Sequence, residues 1–142
     1  MNTPVKKGYR MGRKDRFRYD CTRNGNVILF SLVRVFSRNT LTRYAEKLAG
    51  HKDQRAVKSA LDAWFYEVRE ATWKSSADVK RSYSQASIVG ADRIVFNVKG
   101  NSYRLVVAVN YIRSSVFIKW IGTHKEYDGI DVRTVEYGSE TN

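Results

Sequence analysis

Apolar residues return every three or four positions in the first half of the chain, which is the period of amphipathic α-helices. The first predicted helix ends at Gly50, and its apolar positions are Leu41, Tyr44, Ala45 and Leu48. A longer helix is predicted over roughly 53–71, with apolar positions at Val57, Ala60, Leu61, Trp64 and Val68. A short third helix is predicted over 76–83, where Ser76 can cap the first turn and Asp78 suits the helix dipole.

The period changes to two in the last third of the chain, which indicates β-strands. Strands are predicted over 93–99, over 103–112 and over a run that ends at Thr123. A short first strand is predicted at 33–36, and a short final strand is predicted near 131–135. Trp64 and Trp73 are interpreted as core residues rather than as platforms for a ligand.

Two turn signals predict the register of the sheet. The Gly-Asn pair at 100–101 places Asn97 opposite Arg104. A second turn at 113–114 would place Lys119 opposite Ala108 and Thr123 opposite Arg104. In this register one face of the sheet carries five polar residues, namely Asn97, Lys99, Arg104, Lys119 and Thr123.

The order of these elements predicts an α+β fold. N-terminal helices are expected to pack on one face of a small, mostly antiparallel β-sheet, and the other face is expected to be partly open. The polar segment THKEYD, residues 123–128, follows the last long strand.

Charge adds a preference for polyanionic partners. The chain has 26 Lys and Arg against 14 Asp and Glu, a net charge of +12, and a pI near 10.0. Such an excess favours nucleic acid or the ribosome. Residues 1–32 hold eight of the basic and two of the acidic residues, which is half of the net charge. We interpret 1–32 as a flexible basic extension and 33–142 as the folded domain.

Several classes of site and location are not indicated. No apolar run reaches the roughly 18 to 20 residues that span a bilayer, and no secretory signal is present, so a cytoplasmic location without membrane contact is expected. The single cysteine, Cys21, offers neither a disulfide nor a metal site. Phosphate-loop, HExxH and GxSxG motifs are absent from the sequence, and we expect neither a metal nor a cofactor.

The polar residues near the end of the sheet suit cleavage of RNA without a metal, in which the ribose 2′-hydroxyl attacks the adjacent phosphorus. This reaction needs a base, an acid and fixed cations. Histidine titrates near neutral pH, so His124 can serve as base or acid. Arg104 can bind a phosphate with two N–H groups, and Lys99 or Lys119 can add charge. Tyr127 is a second candidate base, and Asp128 or Glu126 can orient the imidazole or act as the base.

Each of these residues also has a structural interpretation. His124 can cap a loop, Tyr127 can pack, and Arg104 can pair with Asp128. The residues alone therefore favour a nucleic-acid enzyme only slightly over a nucleic-acid binder.

Short motifs in one order and spacing carry a resemblance to a known family. They are ADVK at 77–80, VFNVKGN at 95–101, YRLVV at 103–107 and GTHKEYD at 122–128. Over about 33–131 the chain resembles the HigB family of type II toxins, within the RelE-like superfamily. Members of that family usually begin near the first strand, so the resemblance offers a second account of 1–32, as the product of a start codon assigned upstream of a GTG at Val33. The resemblance implies a microbial-ribonuclease-like fold and a ribosome-dependent mRNA endoribonuclease (an mRNA interferase) that inhibits translation. It also implies a HigA-type helix-turn-helix antitoxin as partner, and operator DNA bound through the complex with that antitoxin.

The resemblance further implies a metal-free catalytic set at Arg104, His124, Tyr127 and Asp128. It implies RNA or ribosomal-RNA contacts at a second set of residues: Lys80, Arg81, Asn97, Lys99 and Lys119. The alternative hypothesis is a non-catalytic RNA- or ribosome-binding module, which would use the same basic face without needing His124.

Overall fold

The structure is a computed structural model that describes residues 17–21 and 27–136. The strands in the described part are β1 Phe17–Cys21, β2 Val27–Ser31, β3 Arg34–Phe36, β4 Ser87–Val89, β5 Arg93–Val98, β6 Tyr103–Asn110 and β7 Ser115–Thr123. The helices are α1 Arg38–Lys47, α2 Gln54–Arg69, α3 Ser76–Ser82 and α4 His124–Tyr127. The α+β fold class is confirmed, and this architecture is compatible with a RelE-like fold.

Five strands form one mixed sheet in the order β3-β7-β6-β5-β4. All neighbouring pairs are antiparallel except β3 and β7, which run parallel. Strand β4 was not predicted from the sequence. The strand predicted near 131–135 is wrong, since these residues form a turn in which Val135 N donates to Asp131 O at 2.9 Å.

Strands β1 and β2 form a separate antiparallel pair. They fall within 1–32, the segment predicted to be a basic extension, and residues 1–16 and 22–26 of that segment lie outside the described part of the chain. The prediction of a flexible extension therefore stays a prediction.

The three helices predicted from the sequence are confirmed, with ends that lie within three residues of the predicted ones. Helix α1 buries Leu41, Tyr44 and Ala45, and α2 buries Val57, Leu61, Trp64, Phe65 and Val68. The capping residue of α3 is Ser75 rather than Ser76. Asp78 lies in the first turn of α3, as predicted, and its carboxylate accepts a hydrogen bond from Lys74 N at 2.8 Å.

The main core lies on the face of the sheet that carries alternate residues of β5 and β6. Phe96 is 2% exposed, and its ring contacts the side chains of Trp64, Trp73 and Tyr83 at centroid distances of 5.5, 6.3 and 4.9 Å. Both tryptophans are 5% exposed, so their interpretation as core residues is confirmed.

The opposite face of the sheet is covered over much of its area, and not as open as predicted. Val95, Val106 and Trp120 are buried there beneath Val135. The residues that complete this second cluster follow β7 in the chain or lie on β4: Val89, Tyr127, Ile130 and Val132. The segment after β7 turns back over the sheet because its apolar positions need burial, which a turn provides as well as a strand does.

The predicted register of β5 and β6 is confirmed, with Asn97 opposite Arg104. The predicted register of β6 and β7 is wrong. Ala108 pairs with Phe117, Arg104 with Gly122, and Tyr103 with Thr123. Two features explain the difference: the connection occupies residues 111–114, where Ser114 has φ 48°, and a β-bulge interrupts the pairing at Val106 and Val107.

The corrected register changes the predicted polar face. Thr123 pairs with Tyr103, a residue of the main core, and leaves the face that carries Arg104. Lys99 also leaves it, since its φ of 51° turns the side chain toward Asp53, which also contacts the core residue Tyr103. Lys119 stays on the face of Arg104: it is the unpaired residue of the β-bulge, and its Nζ lies 5.9 Å from the ring centroid of Phe117, which is on that face.

Candidate active site

The site lies where β7 ends and α4 begins. Thr123 caps α4: its hydroxyl accepts a hydrogen bond from Glu126 N at 3.1 Å, and Glu126 Oε2 accepts one from Thr123 N at 2.8 Å. The sequence pattern of this capping box, Thr-x-x-Glu, was interpreted above only as part of a polar cluster. Helix α4 is also tied to the β5–β6 turn, because His124 N donates to Ser102 O at 2.9 Å. The first residue of the helix, His124, is thus fixed against that turn.

Gly122 allows Trp120 to pack tightly beside this helix. A Cβ at position 122 would lie 2.4 Å from the Trp120 ring and 2.6 Å from Glu126 Oε2. Trp120 in turn contacts the Tyr127 ring at a centroid distance of 6.4 Å. The absence of a side chain at Gly122, directly opposite Arg104 in the sheet, is therefore part of how the site is built.

Arg104 is the most enclosed polar residue of the site, with 8% of the residue exposed. Its Nη1 donates to Asn101 O at 2.9 Å and to Tyr103 O at 3.2 Å. Its Nη2 donates to Asn101 Oδ1 and lies 2.8 Å from His124 Nδ1. The guanidinium also lies 5.9 Å from the Tyr127 ring centroid. The β5–β6 turn and α4 therefore hold Arg104 between them.

The contact with Arg104 selects the form of the His124 imidazole. Guanidinium nitrogens only donate hydrogen bonds, so Nδ1 must present its lone pair and the proton of a neutral ring sits on Nε2. Asn101 O lies 3.3 Å from the same Nδ1 and can accept a hydrogen bond from it only when Nδ1 carries the proton and Arg104 has moved away. His124 thus has two alternative partners at one nitrogen, one for each tautomer.

Asp128 and Tyr127 complete the group. Asp128 Oδ1 lies 3.8 Å from His124 Nε2, one helical turn further along, and its side chain is 66% exposed. At that distance the carboxylate acts on the imidazole through charge rather than through a direct hydrogen bond. Tyr127 is half-buried between Trp120 and Arg104. The four residues predicted as catalytic are therefore brought together, and Asn97 lies across from Arg104 on β5.

The other predicted RNA contacts lie elsewhere and have their own partners. Lys80 Nζ donates to Ser84 O and to Ala86 O, both at 2.7 Å, and so fastens the connection from α3 to β4. The exposed Arg81 pairs with Asp78 at 3.0 Å. Lys119 Nζ donates to Glu136 at 2.8 Å.

Lys99 anchors the β5–β6 hairpin to the start of α2. Its ammonium lies 3.0 Å from Asp53 Oδ1, and the Tyr103 hydroxyl donates to Asp53 Oδ2 at 3.1 Å. The bond from Lys99 holds the pKa of Asp53 below its usual value. Burial, and then the nearby Asp53 carboxylate, raise the pKa of Tyr103. This cluster holds the hairpin whose turn carries Asn101.

Asn101 is the site residue that was not predicted from the sequence. Its side chain and its carbonyl both bind Arg104, and the carbonyl also approaches His124. The sequence showed it only as the second residue of a Gly-Asn turn, where asparagine is common for backbone reasons. Its position three residues before Arg104 was the one available signal.

The sequence model of the HigB_toxin family, described as a RelE-like toxic component of a toxin–antitoxin system, matches residues 57–130. The match covers just over half of the chain and includes most of α2, the strands β4 to β7 and α4. No curated protein matches the chain. The long family match, on a fold of the expected class, shows that the chain belongs to the HigB_toxin family and is a toxin of a toxin–antitoxin system.

Proposed function

We propose that this toxin is an endoribonuclease that cleaves mRNA on the ribosome and so inhibits translation. The observation that carries the proposal is the group formed by Arg104, His124, Tyr127 and Asp128, in which a cation, an imidazole, a phenol and a carboxylate meet at one end of the sheet. These are the groups that cleavage by the 2′-hydroxyl requires.

In the proposed reaction the 2′-oxygen bonds to phosphorus while the bond to the 5′-oxygen breaks. The products are a 2′,3′-cyclic phosphate and a 5′-hydroxyl, and one proton passes from the 2′-hydroxyl to the base while another reaches the leaving oxygen. Arg104 would stabilise the charge that builds on the phosphoryl oxygens. Side chains of the site can carry out both proton transfers and stabilise the developing charge, so the proposed step needs no metal.

The geometry around His124 suggests how a phosphate prepares the base. A phosphate attracts the Arg104 guanidinium and draws Nη2 from its 2.8 Å contact with Nδ1. Nδ1 can then carry the proton and donate to Asn101 O, which leaves the lone pair of Nε2 free to accept the proton of the 2′-hydroxyl. Asp128, near Nε2, would stabilise the imidazolium that forms. The Tyr127 hydroxyl is our candidate donor to the leaving oxygen.

Membership of the family implies an antitoxin partner. We propose that this partner is a HigA-type protein with a helix-turn-helix, and that operator DNA is bound through the complex. Lys80, Arg81, Asn97, Lys99 and Lys119 remain proposed contacts to messenger or ribosomal RNA. No helix among the described residues is long and apolar enough to cross a membrane.

The test is primer extension on a reporter mRNA after brief induction of the toxin. Wild type should cut within the translated frame, and a message without a start codon should stay intact. His124→Ala and Arg104→Lys should lose cleavage by at least about a hundredfold, because the first removes the base and the second removes the planar fork that binds phosphate. Arg113→Ala, at an exposed turn residue, is the matched control and should cleave as wild type does.

The alternative is a non-catalytic RNA- or ribosome-binding module. One observation favours it: in the free protein the lone pair at His124 Nδ1 is already bound by Arg104. A binder would arrest growth while the message stays intact, and His124→Ala would still arrest growth. That pair of results would overturn the endoribonuclease proposal.

A further inference from the structure

A row of cations and aromatic rings lies on the sheet face that carries Arg104. The Phe36 and Phe117 rings are stacked, with centroids 4.8 Å apart and planes 11° from parallel. Arg34 lies 5.1 Å from the Phe36 centroid, and Lys119 Nζ lies 5.9 Å from the Phe117 centroid. We name these four residues the cation–aromatic ladder.

The register places the ladder on this face. Phe117 pairs with Ala108 on β6, and Ala108 lies four residues from Arg104, so both point to the same side of the sheet. At the rise of a β-strand the separation along β6 is about 13 Å. The adjacent position on β7, Val116, points the other way into the main core.

The ladder is partly exposed, with Arg34 and Phe117 open to solvent, where the rest of this face is covered. Val106 and Trp120 are 0% and 3% exposed beneath the segment that follows α4, whereas Phe117 is 36% exposed. Among the described residues, that segment ends beside the ladder, where Glu136 accepts a hydrogen bond from Lys119. The ladder is therefore an aromatic surface that packing of the described core does not require.

We propose that the cation–aromatic ladder binds an unpaired stretch of RNA, with a nucleobase stacked at Phe117, the exposed member of the phenylalanine pair, and phosphates paired with Arg34 and Lys119. The inference rests on the proposed function and extends it to the part of the strand that lies beyond the cleaved bond. Bases stack on aromatic rings of sheet faces whatever their sequence, and flanking cations hold the backbone. An aromatic pair with a cation at each end suits a base between two phosphates better than it suits a purely apolar peptide.

The Lys119–Glu136 ion pair would regulate this surface. Glu136 Oε1 lies 2.8 Å from Lys119 Nζ and 3.6 Å from Arg93 Nη2, so a phosphate has to compete with that carboxylate for the lysine. Glu136→Gln should therefore strengthen RNA binding, and by more than Asp62→Asn, which removes the same charge from an exposed ion pair on α2.

The experiment measures binding of a short, labelled 2′-O-methyl oligouridine to the full-length toxin by fluorescence anisotropy. This probe cannot be cleaved through its 2′-oxygen. Phe117→Leu should weaken binding at least about fivefold, and Phe117→Tyr should bind as wild type does. Tyr66→Leu is the matched control, since Tyr66 on α2 is also exposed and also lies near two arginines, Arg38 and Arg69.

Two results would overturn the proposal: equal affinity of Phe117→Leu and wild type, or no binding of the probe to wild type. Weakened binding of the antitoxin, with RNA affinity unchanged, would assign the ladder to the protein partner instead. If Phe117→Leu does not fold, crosslinking of wild type to a 4-thiouridine oligonucleotide decides. Crosslinks at 34–36 or 117–119 support the ladder, and crosslinks confined to 97–104 and 122–128 contradict it.

The outcomes separate this inference from the proposed function. Cleavage of mRNA by wild type, together with unchanged RNA affinity of Phe117→Leu, would refute RNA binding by the ladder and leave the endoribonuclease proposal intact. RNA binding that depends on Phe117, without any cleavage, would refute the endoribonuclease proposal and support RNA binding by the ladder.

Discussion

Single residues of this toxin have roles that only their neighbours explain. Arg104 and His124 were predicted to act on RNA. In the structure they contact each other, and both contact Asn101. A turn asparagine therefore fixes the position of the Arg104 guanidinium. An arginine stabilises developing charge best when its position is already fixed, because the protein then need not reorganise.

Asn101→Ala should lower kcat for RNA cleavage by about ten- to a hundredfold, because a small displacement of a positioned group costs that much. KM should change less, since Arg104 remains able to reach a phosphate. Asn110→Ala is the control: Asn110 also accepts a turn hydrogen bond, from Arg113 N at 3.0 Å, but at the far end of β6. Steady-state cleavage of a short RNA on ribosomes gives both constants. Equal kcat for the two variants would remove Asn101 from the site.

Gly122→Ala should destabilise the protein by about 1–3 kcal/mol, as expected for a methyl forced into a filled space. The new Cβ would meet Trp120 at 2.4 Å and the Glu126 carboxylate that closes the capping box. Gly129→Ala is the matched control, because its Cβ would meet Glu126 O at an ordinary 3.6 Å. Urea unfolding of both variants measures the difference. Similar free energies of unfolding would show that Trp120 moves aside without cost.

At the scale of elements, the site depends on a hairpin and a helix that come from different parts of the chain. The β5–β6 turn carries Asn101, and α4 with its C-terminal cap carries His124, Tyr127 and Asp128. The hairpin is held in turn by Asp53, which precedes α2 and binds Lys99 and Tyr103. Lys99, which was predicted to contact RNA, is thus engaged in joining two elements.

The stability of this junction should depend on pH. The pKa of Asp53 is lower in the folded protein than in the unfolded chain, mainly because Lys99 binds its carboxylate. The stabilisation is therefore fully present above the unfolded pKa, near 4, and is lost as pH falls through the folded value. Between about pH 5 and pH 2 the melting temperature of wild type should fall more than that of Asp53→Asn.

Asp62→Asn serves as the control for this measurement. Asp62 forms an exposed pair with Lys58 at 2.8 Å, and exposed pairs contribute little to stability. Its melting curves should follow those of wild type at every pH. Parallel pH profiles of wild type and Asp53→Asn would contradict a role for Asp53 at the junction.

At the scale of the whole molecule, much of the net charge lies outside the proposed toxin domain. The net charge of +12 favours binding of a polyanionic partner but does not show where on the protein that partner binds. Half of the charge lies in residues 1–32. We propose that 33–142 form the toxin domain and that 1–32 add affinity for RNA without contributing to its chemistry. The family match, over 57–130, concerns the proposed domain alone.

Removal of residues 1–32 should weaken binding of the 2′-O-methyl oligouridine and flatten its dependence on salt. For a single strand, the slope of log K against log salt is negative, and its magnitude decreases by about 0.7 for every phosphate that the shortened chain no longer neutralises. Anisotropy titrations at several salt concentrations measure that slope. An unchanged slope in the shortened chain would show that the extension neutralises no phosphates. A scrambled extension of the same composition controls for length.

Much of this architecture follows from the sequence, because periodicity reports local structure directly. The spacing of Leu41 to Leu48 and of Val57 to Val68 predicted α1 and α2, and the Gly-Asn turn predicted the register of β5 and β6. The family and the fold class were also recognisable from motifs and their order.

Other features were decided by contacts between distant residues. The bulge in β7 and the longer connection at 111–114 make the register of β7 differ from the predicted one, and no local sequence pattern indicates either feature. The cover over the second sheet face, the ion pair of Lys99 with Asp53, and the binding of Arg104 by both Asn101 and His124 depend on which side chains meet after the chain folds. Sequence alone determined the three longer helices, the hairpin of β5 and β6 and the residue types of the site, since these depend on spacing along the chain. Tertiary structure decided which of those residues are partners, because hydrogen bonds and ion pairs act over only a few ångströms.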